Sequence, residues 1–199
     1  MGYAPPSKLQ RTMTANSGLI QDGTVISVAS DPEHRFSKTT RENINLIEGH
    51  GVEGDAHAGR KVKQRFLART KPWLANFRQI HLMPSELFDD LRADNFFVGP
   101  GELGENVTTA GVHLVGLPLG TLVSLGQTAV VEITGLRTPC VLIDRFRKGL
   151  KQKMIGRDNG DPVFKCGVLG VVRAGGRVAA GDVIRAELPC RPWKPLPKL

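Results

Sequence analysis

One tyrosine, Tyr3, two tryptophans and three cysteines are all that the 199 residues hold of these types, and the scarcities exclude several classes. Three cysteines (Cys140, Cys166 and Cys190) form an odd set with no framework spacing. A disulfide scaffold is therefore not expected, and a reducing compartment is. The lack of CxxC, of HExxH and of any close His–Cys pair removes the usual zinc sites. Neither a P-loop nor a dinucleotide fingerprint occurs, and Ser-His-Asp chemistry has no nucleophile elbow to rest on. No apolar run approaches the roughly 20 residues of a membrane span. The opening MGYAPPSKLQRTMTANSG has no apolar stretch for a signal peptide, and Pro6 stands where a myristoylation signal needs Ser or Thr. The expected location is the cytoplasm.

With 40% hydrophobic and 23% charged residues, the composition is that of a soluble globular protein long enough to bury its own core. Its 23 glycines and 13 prolines argue for short strands between many turns rather than a helical bundle. The formal charge of +8 is concentrated in two tracts. One runs from Arg60 to Arg78 with no acid between; the other spans Arg145 to Arg157 between Asp144 and Asp158. Such tracts attract anionic partners or simply keep a surface solvated.

Residues 1–20 read as a polar, poorly ordered segment, 21–188 as the folded domain and 189–199 as a Pro-rich tail, linker-like or wrapping. Within the domain, Gly23–Ser30 alternates like a strand, Val25, Ser27 and Ala29 against Ile26 and Val28. The stretch after it reads as a loop or decorated hairpin, and Gly49–Gly59 has too many glycines for regular structure. Ile80 and Leu82 read as strand, and Pro84 and Ser85 as the start of a helix with Leu87, Phe88 and Leu91 on one face. Thr128–Leu136 is rich in β-branched residues and reads as a strand. Residues 140–155 read as one basic amphipathic helix or two short ones. From 167 onward a strand, a Gly175-Gly176 turn and further strand are expected. With no βαβ alternation, the sum is a mainly β, α+β chain: a closed or nearly closed barrel with two or three helices packed outside.

Three segments carry candidate chemistry. In GVEGDAHAG, Asp55 and His57 lie two residues apart and project to one side of an extended backbone, where Asp55 can fix the tautomer of His57 or bond its own backbone in an Asx-turn. GPGELGENVTTAG sets Glu105, Asn106 and Thr108 among glycines, groups suited to the edge of a heterocycle or to satisfying a long loop. In RTPC, Pro139 fixes the direction in which Cys140 is presented, and Arg137 favours the thiolate, which attacks or binds soft metals. Read locally, a lone Cys beside an apolar run, as Cys140 is, is more often a small buried packing residue than a nucleophile.

These segments in this order, with RQIHLMPSELFDDL between the first two and GVLGVVRAGGRVAAGDVI at the end, resemble the MOSC domain family from about Gly23 to Ile184. The resemblance is to small stand-alone bacterial-type members. It implies a MOSC-type β-barrel that binds the molybdenum cofactor, a pterin with a dithiolene and a phosphate. It implies that Cys140 ligates molybdenum or carries a persulfide, with Asp55 and His57 as catalytic partners. By the same resemblance Glu105, Asn106, Thr108, Arg137 and Thr138 contact the cofactor. The activity implied is reduction of N-hydroxylated compounds with electrons from an external reductase, since no flavin or iron–sulfur motif is present. The alternative is a sulfur carrier that takes sulfane sulfur from a donor onto Cys140. A nucleic-acid-binding barrel ranks low because no aromatic stacking platform is present. Oligomeric state stays open.

Overall fold

The computed structural model describes residues 20–63, 65–158 and 160–199. In chain order the strands are β1 (Ile20–Ser30), β2 (Thr39–Arg41), β3 (Asn43–Ile47), β4 (Gly51–Val52), β5 (Ile80–Pro84), β6 (Val107–Ala110), β7 (Leu122–Leu125), β8 (Ala129–Leu136), β9 (Ile155–Asp158), β10 (Asp161–Phe164), β11 (Val168–Ala174), β12 (Gly176–Ala179) and β13 (Val183–Glu187). Four short α-helices intervene: α1 (Arg65–Thr70), α2 (Glu86–Ala93), α3 (Val141–Phe146) and α4 (Leu150–Lys153). The main sheet runs β13-β7-β8-β11-β5-β6-β1-β2, and β13 also pairs with β1, which closes seven of these strands into a barrel. The expected barrel is therefore present, with β2 hanging on its rim. A small sheet, β12-β3-β4, covers one side, and β9 and β10 form a separate ribbon.

Burial follows the period of two. Along β8 the residues alternate buried and half-buried, so Ala129, Val131 and Ile133 fill the barrel. In β5, Ile80 and Leu82 point into the same core, while Met83 on the opposite face belongs to a second cluster with Leu87, Phe88 and Leu91 of α2 and Ile143 and Leu150 of α3 and α4. Residues on the outer face of β5 and β6 are thus covered by helices. That covered outer face is where the candidate site lies.

Several expectations are corrected. β1 carries a bulge between Val25 and Ser27, so Val25 and Val28 both face inward while Ile26 is exposed. Strict alternation fails there because one extra residue resets the register. After β1 the stretch 31–49 loops back so that β2 pairs antiparallel with β1, as a decorated hairpin would, but β3 leaves to pair with β12 and β4. Nor do β11 and β12 form a hairpin at Gly175-Gly176; the chain leaves the barrel there and joins β3. Gly176 permits that passage, because an added Cβ would strike Thr128 Oγ1. The β5–α2–β6 segment is a parallel crossover, although the sequence shows no βαβ alternation. Pro84 ends β5 rather than starting α2. The expected poorly ordered segment 1–20 lies outside the described residues, Ile20 excepted.

The Pro-rich tail wraps. Leu136 N–H donates to Pro197 O, Leu199 N–H donates to Leu136 O, and Leu196 joins the barrel core.

Leu82 is fully buried on β5 and Val183 is 62% exposed on β13. Urea unfolding should show Leu82→Ala losing about 2–5 kcal/mol. Val183→Ala should stay within about 0.5 kcal/mol of the parent chain.

Candidate functional site

Asp55 sits at the centre of the outer face. Its carboxylate, 1% exposed, accepts from Lys38 Nζ at 2.6 Å, from Asn106 Nδ2 at 3.0 Å and from Asp31 N–H at 3.3 Å on one oxygen. The other oxygen accepts from His57 N–H at 2.9 Å, which is an Asx-turn, and lies 3.3 Å from His57 Nδ1. Both readings of this Asp–His pair therefore hold at once: Asp55 shapes its own loop and orients the imidazole. Burial pushes the Asp55 pKa up. The His57 hydrogen bonds and the charge and hydrogen bond of Lys38 outweigh it and hold the carboxyl well below the usual range. On Lys38 the balance runs the other way: burial lowers its pKa more than Asp55 restores it. At this distance, with both groups buried, the ion pair is the form that satisfies the most partners.

Lys38 escaped the sequence reading. It lies in a Ser/Thr-rich stretch, 17 residues from Asp55, with no motif around it. The structure clamps it to the GPGELGEN loop, where Lys38 N–H donates to Gly101 O at 2.8 Å. Gly101 has φ +81°, and a Cβ there would stand 2.5 Å from Lys38 O, so only glycine allows this approach.

Asn106 spends its amide on the fold. Nδ2 donates to Ala29 O as well as to Asp55, and Oδ1 accepts from His81 N–H. It ties β1, β5 and the Asp55 loop together and has little capacity left for a ligand. Glu105 is different. Oε1 accepts from Gly101 N–H at 2.5 Å and from Thr108 Oγ1 at 3.2 Å, but Oε2 is buried without a partner. Burial raises the Glu105 pKa, against those hydrogen bonds and the charge of Arg137.

Arg137 reaches the site from the end of β8, held by its N–H to Gly167 O. Its charge is felt by Lys38, Arg78, His81, Glu105 and Cys166. Nη1 is nevertheless buried and unpartnered. His81, a second residue missed in the sequence, is fully buried, with Nε2 2.7 Å from Cys166 O. Because a carbonyl only accepts, Nε2 carries the proton. Burial, with the charge of Arg137 added, keeps this ring well below the ordinary imidazole pKa and hence neutral.

Cys140 caps α3 and is half-buried, packed on the second core cluster, which includes the fully buried Cys166. Burial pushes the Cys166 thiol up to about 11; Arg137 draws it down and the neighbouring Cys140 adds to the rise. Thr138 turns elsewhere: both its N–H and its hydroxyl donate to Leu199 O, the latter at 2.7 Å. Its position braces the strand end that precedes Cys140. Among the described residues no hydrogen bond or ion pair joins Cys140 to Asp55 or His57. The connection runs through Arg137, whose charge reaches both Lys38 beside Asp55 and Cys166 beside Cys140.

A seven-stranded barrel with a helix-covered outer face, carrying a buried Lys–Asp pair and a presented cysteine, defines the class. The profile of the MOSC domain matches residues 69–185, more than half of the sequence. The chain belongs to the MOSC domain family, a family associated with molybdenum-cofactor binding. Its fold is similar to that of the YuaD protein from Bacillus subtilis, at TM-score 0.68 and 19% identity over 87% of this chain and 100% of that one. It is also similar to YiiM from Escherichia coli, at TM-score 0.56 and 22% identity over 85% of this chain and 70% of that one. YiiM from Geobacillus stearothermophilus gives TM-score 0.52 and 17% identity, over 84% and 75%. No curated protein matches the sequence significantly.

Replacing Lys38 by Met leaves Asp55 buried without its cation, and should cost about 3–5 kcal/mol at neutral pH. The folded-state pKa of Asp55 is depressed, so its contribution is complete above the unfolded value near 3.8 and is lost as pH falls below it. The deficit of Lys38→Met, measured by denaturant unfolding, should therefore shrink below about pH 4. Native-state alkylation followed by mass spectrometry should label exposed Cys190 first and half-buried Cys140 more slowly. Cys166 should react only after unfolding.

Proposed function

We propose that this chain binds the molybdenum cofactor on the face formed by Lys38, Glu105, Arg137 and Cys140, and reduces N-hydroxylated compounds with electrons from an external donor. The observation that carries the proposal is a mismatch. Arg137 and Glu105 feel each other's charge, yet Arg137 Nη1 and Glu105 Oε2 are both buried and unpaired. A buried donor and a buried acceptor left open are costly unless a ligand supplies the complement. A pterin edge offers N–H donors for the carboxylate, and an anionic oxygen suits the guanidinium.

The metal chemistry fits the same face. Among the described residues no group of three or more His, Cys, Asp or Glu side chains could hold a metal ion by itself. A metal here would arrive with its own dithiolene ligands and require one soft protein ligand, for which the half-buried thiol of Cys140 is suited. When bound, the cofactor would supply a redox metal able to take an oxygen atom from an N–OH group.

The chain's own residues would do the rest. Arg137 and Lys38 would offset the negative charge of the cofactor, and Thr138, fixed to Leu199 O, would hold the Cys140 segment in place. Asp55 would hold His57 Nδ1, leaving Nε2 of this partly exposed ring to exchange a proton with substrate. Asn106 and Thr108 would act one step back, keeping Asp55 and Glu105 in position.

The test is expression in a host that makes the cofactor, followed by elemental analysis for molybdenum and oxidative fluorescence for pterin. Near-stoichiometric metal and pterin are expected in the parent chain. Cys140→Ser should lower molybdenum at least about tenfold, and Arg137→Ala should lower pterin retention. Neither metal nor pterin in the parent chain would overturn the proposal and leave a persulfide on Cys140 as the remaining expectation.

A further inference from the structure

The tract Arg60–Arg78 holds seven Lys and Arg residues and no acid, and nothing in the site uses it. The ion pairs among the described residues involve none of Arg60, Lys61, Lys63, Arg69, Lys71 or Arg78. Apolar groups stand in the open beside these cations: Trp73 is 69% exposed, Phe77 55% and Leu74 38%. Two large aromatic side chains facing water next to cations resemble the composition of a protein-binding centre with a charged rim.

The tract is also fixed in place. Residues around Lys61 and Ala75 double back on each other, with Val62 N–H donating to Leu74 O at 2.9 Å and Val62 buried beneath. Asn76 Nδ2 donates to both His57 O and Gly59 O at 2.9 Å, and Thr134 Oγ1 donates to Phe77 O at 2.6 Å. The root of the tract is therefore stapled to the loop that carries His57 and to β8, which leads to Arg137 and Cys140.

From this juxtaposition we infer that the surface presenting Lys61, Lys63, Lys71, Trp73 and Phe77 docks an acidic donor protein, which binds with its carboxylates on the cations and an apolar spot over Trp73 and Phe77. The inference rests on the reading that the site is served by an external donor. That need favours a protein over the other anionic surfaces. A lipid headgroup layer or a polynucleotide would match the charge, but neither delivers what a site beside His57 consumes. The opposite charges steer the encounter, and the aromatic pair sets the lifetime of the complex.

Trp73 makes the surface its own reporter. In a Trp193→Phe background it is the single tryptophan, so its fluorescence reads occupancy directly. The protein is titrated at low salt with two acidic one-electron carriers, a plant-type ferredoxin and a flavodoxin. Phosphatidylserine vesicles and an oligothymidylate serve as rivals. At least one carrier should bind and change the Trp73 signal, with affinity falling steeply as salt rises. Reversing Lys61, Lys63 and Lys71 to Glu should weaken binding at least about tenfold. Trp73→Ala, followed by isothermal titration, should weaken it about thirtyfold. All these positions are exposed, so thermal unfolding should be unchanged and any loss of binding belongs to the surface.

Binding of neither carrier, or binding indifferent to both sets of substitutions, overturns the inference. Tighter, Trp73-dependent binding of vesicles or oligothymidylate also overturns it, and reassigns the tract to a lipid or polynucleotide surface. The docking readout needs no molybdenum, so Cys140→Ser should bind the carriers like the parent chain. Failure of cofactor binding and failure of docking are thereby separated.

Discussion

The buried pair of Lys38 and Asp55 is the contact on which the outer face depends. Neither charge would be stable there alone. Removing one partner from such a pair strands the other in a medium that solvates it poorly. The pair persists because its second layer is complete: Asn106, the Asp31 amide and the His57 amide all donate to the same carboxylate. Those donors come from β1, the β5–β6 connection and the glycine loop. Satisfying one carboxylate thus fixes the relative positions of three segments far apart in sequence. Stability and site geometry are here the same set of bonds.

Against this satisfied pair stand two groups on the same face that are not satisfied. Asn106 uses all of its capacity, whereas Glu105, its immediate neighbour, leaves an oxygen open. Both side chains are buried just before β6: Asn106 is spent on Ala29 O, the His81 amide and Asp55, while Glu105 keeps one oxygen free of any partner. Alternation on β5 sends Ile80 and Leu82 into the core and His81 and Met83 outward. The period of the strand divides the residues that fill the barrel from those that pack between barrel and helices.

Much of this was legible in the sequence. The apolar face of α2, the β-branched run of β8 and the pair of helices after Cys140 each announce themselves through periodicity or composition. Asp55, His57, Glu105 and Arg137 were found as motif members. Lys38 and His81 were not. A lysine among Ser and Thr looks like solvated loop, and only the tertiary fold brings it to Asp55. His81 looks like one more strand residue until the covering helices bury it. The short strands β6 and β7 sit among glycines and turns, and their pairing comes from closure of the barrel rather than from local preference, whereas β9 and β10 pair only with each other. Thr138 shows the opposite failure. It lies within a motif, yet its hydroxyl is committed to Leu199, a partner with no sequence signal at all.

Barrel closure joins β1 to β13, and the strand end before Cys140 is completed by residues 197 and 199. A nascent chain therefore cannot finish either structure until nearly all of these residues have left the ribosome. Until then β1 lacks its β13 partner, and the segment carrying Cys140 lacks its brace. Pairings of such long sequence separation form slowly. Closure on β13 needs residues 183–187, and the brace on the strand end before Cys140 needs residues 197 and 199, so the two are completed in that order along the chain.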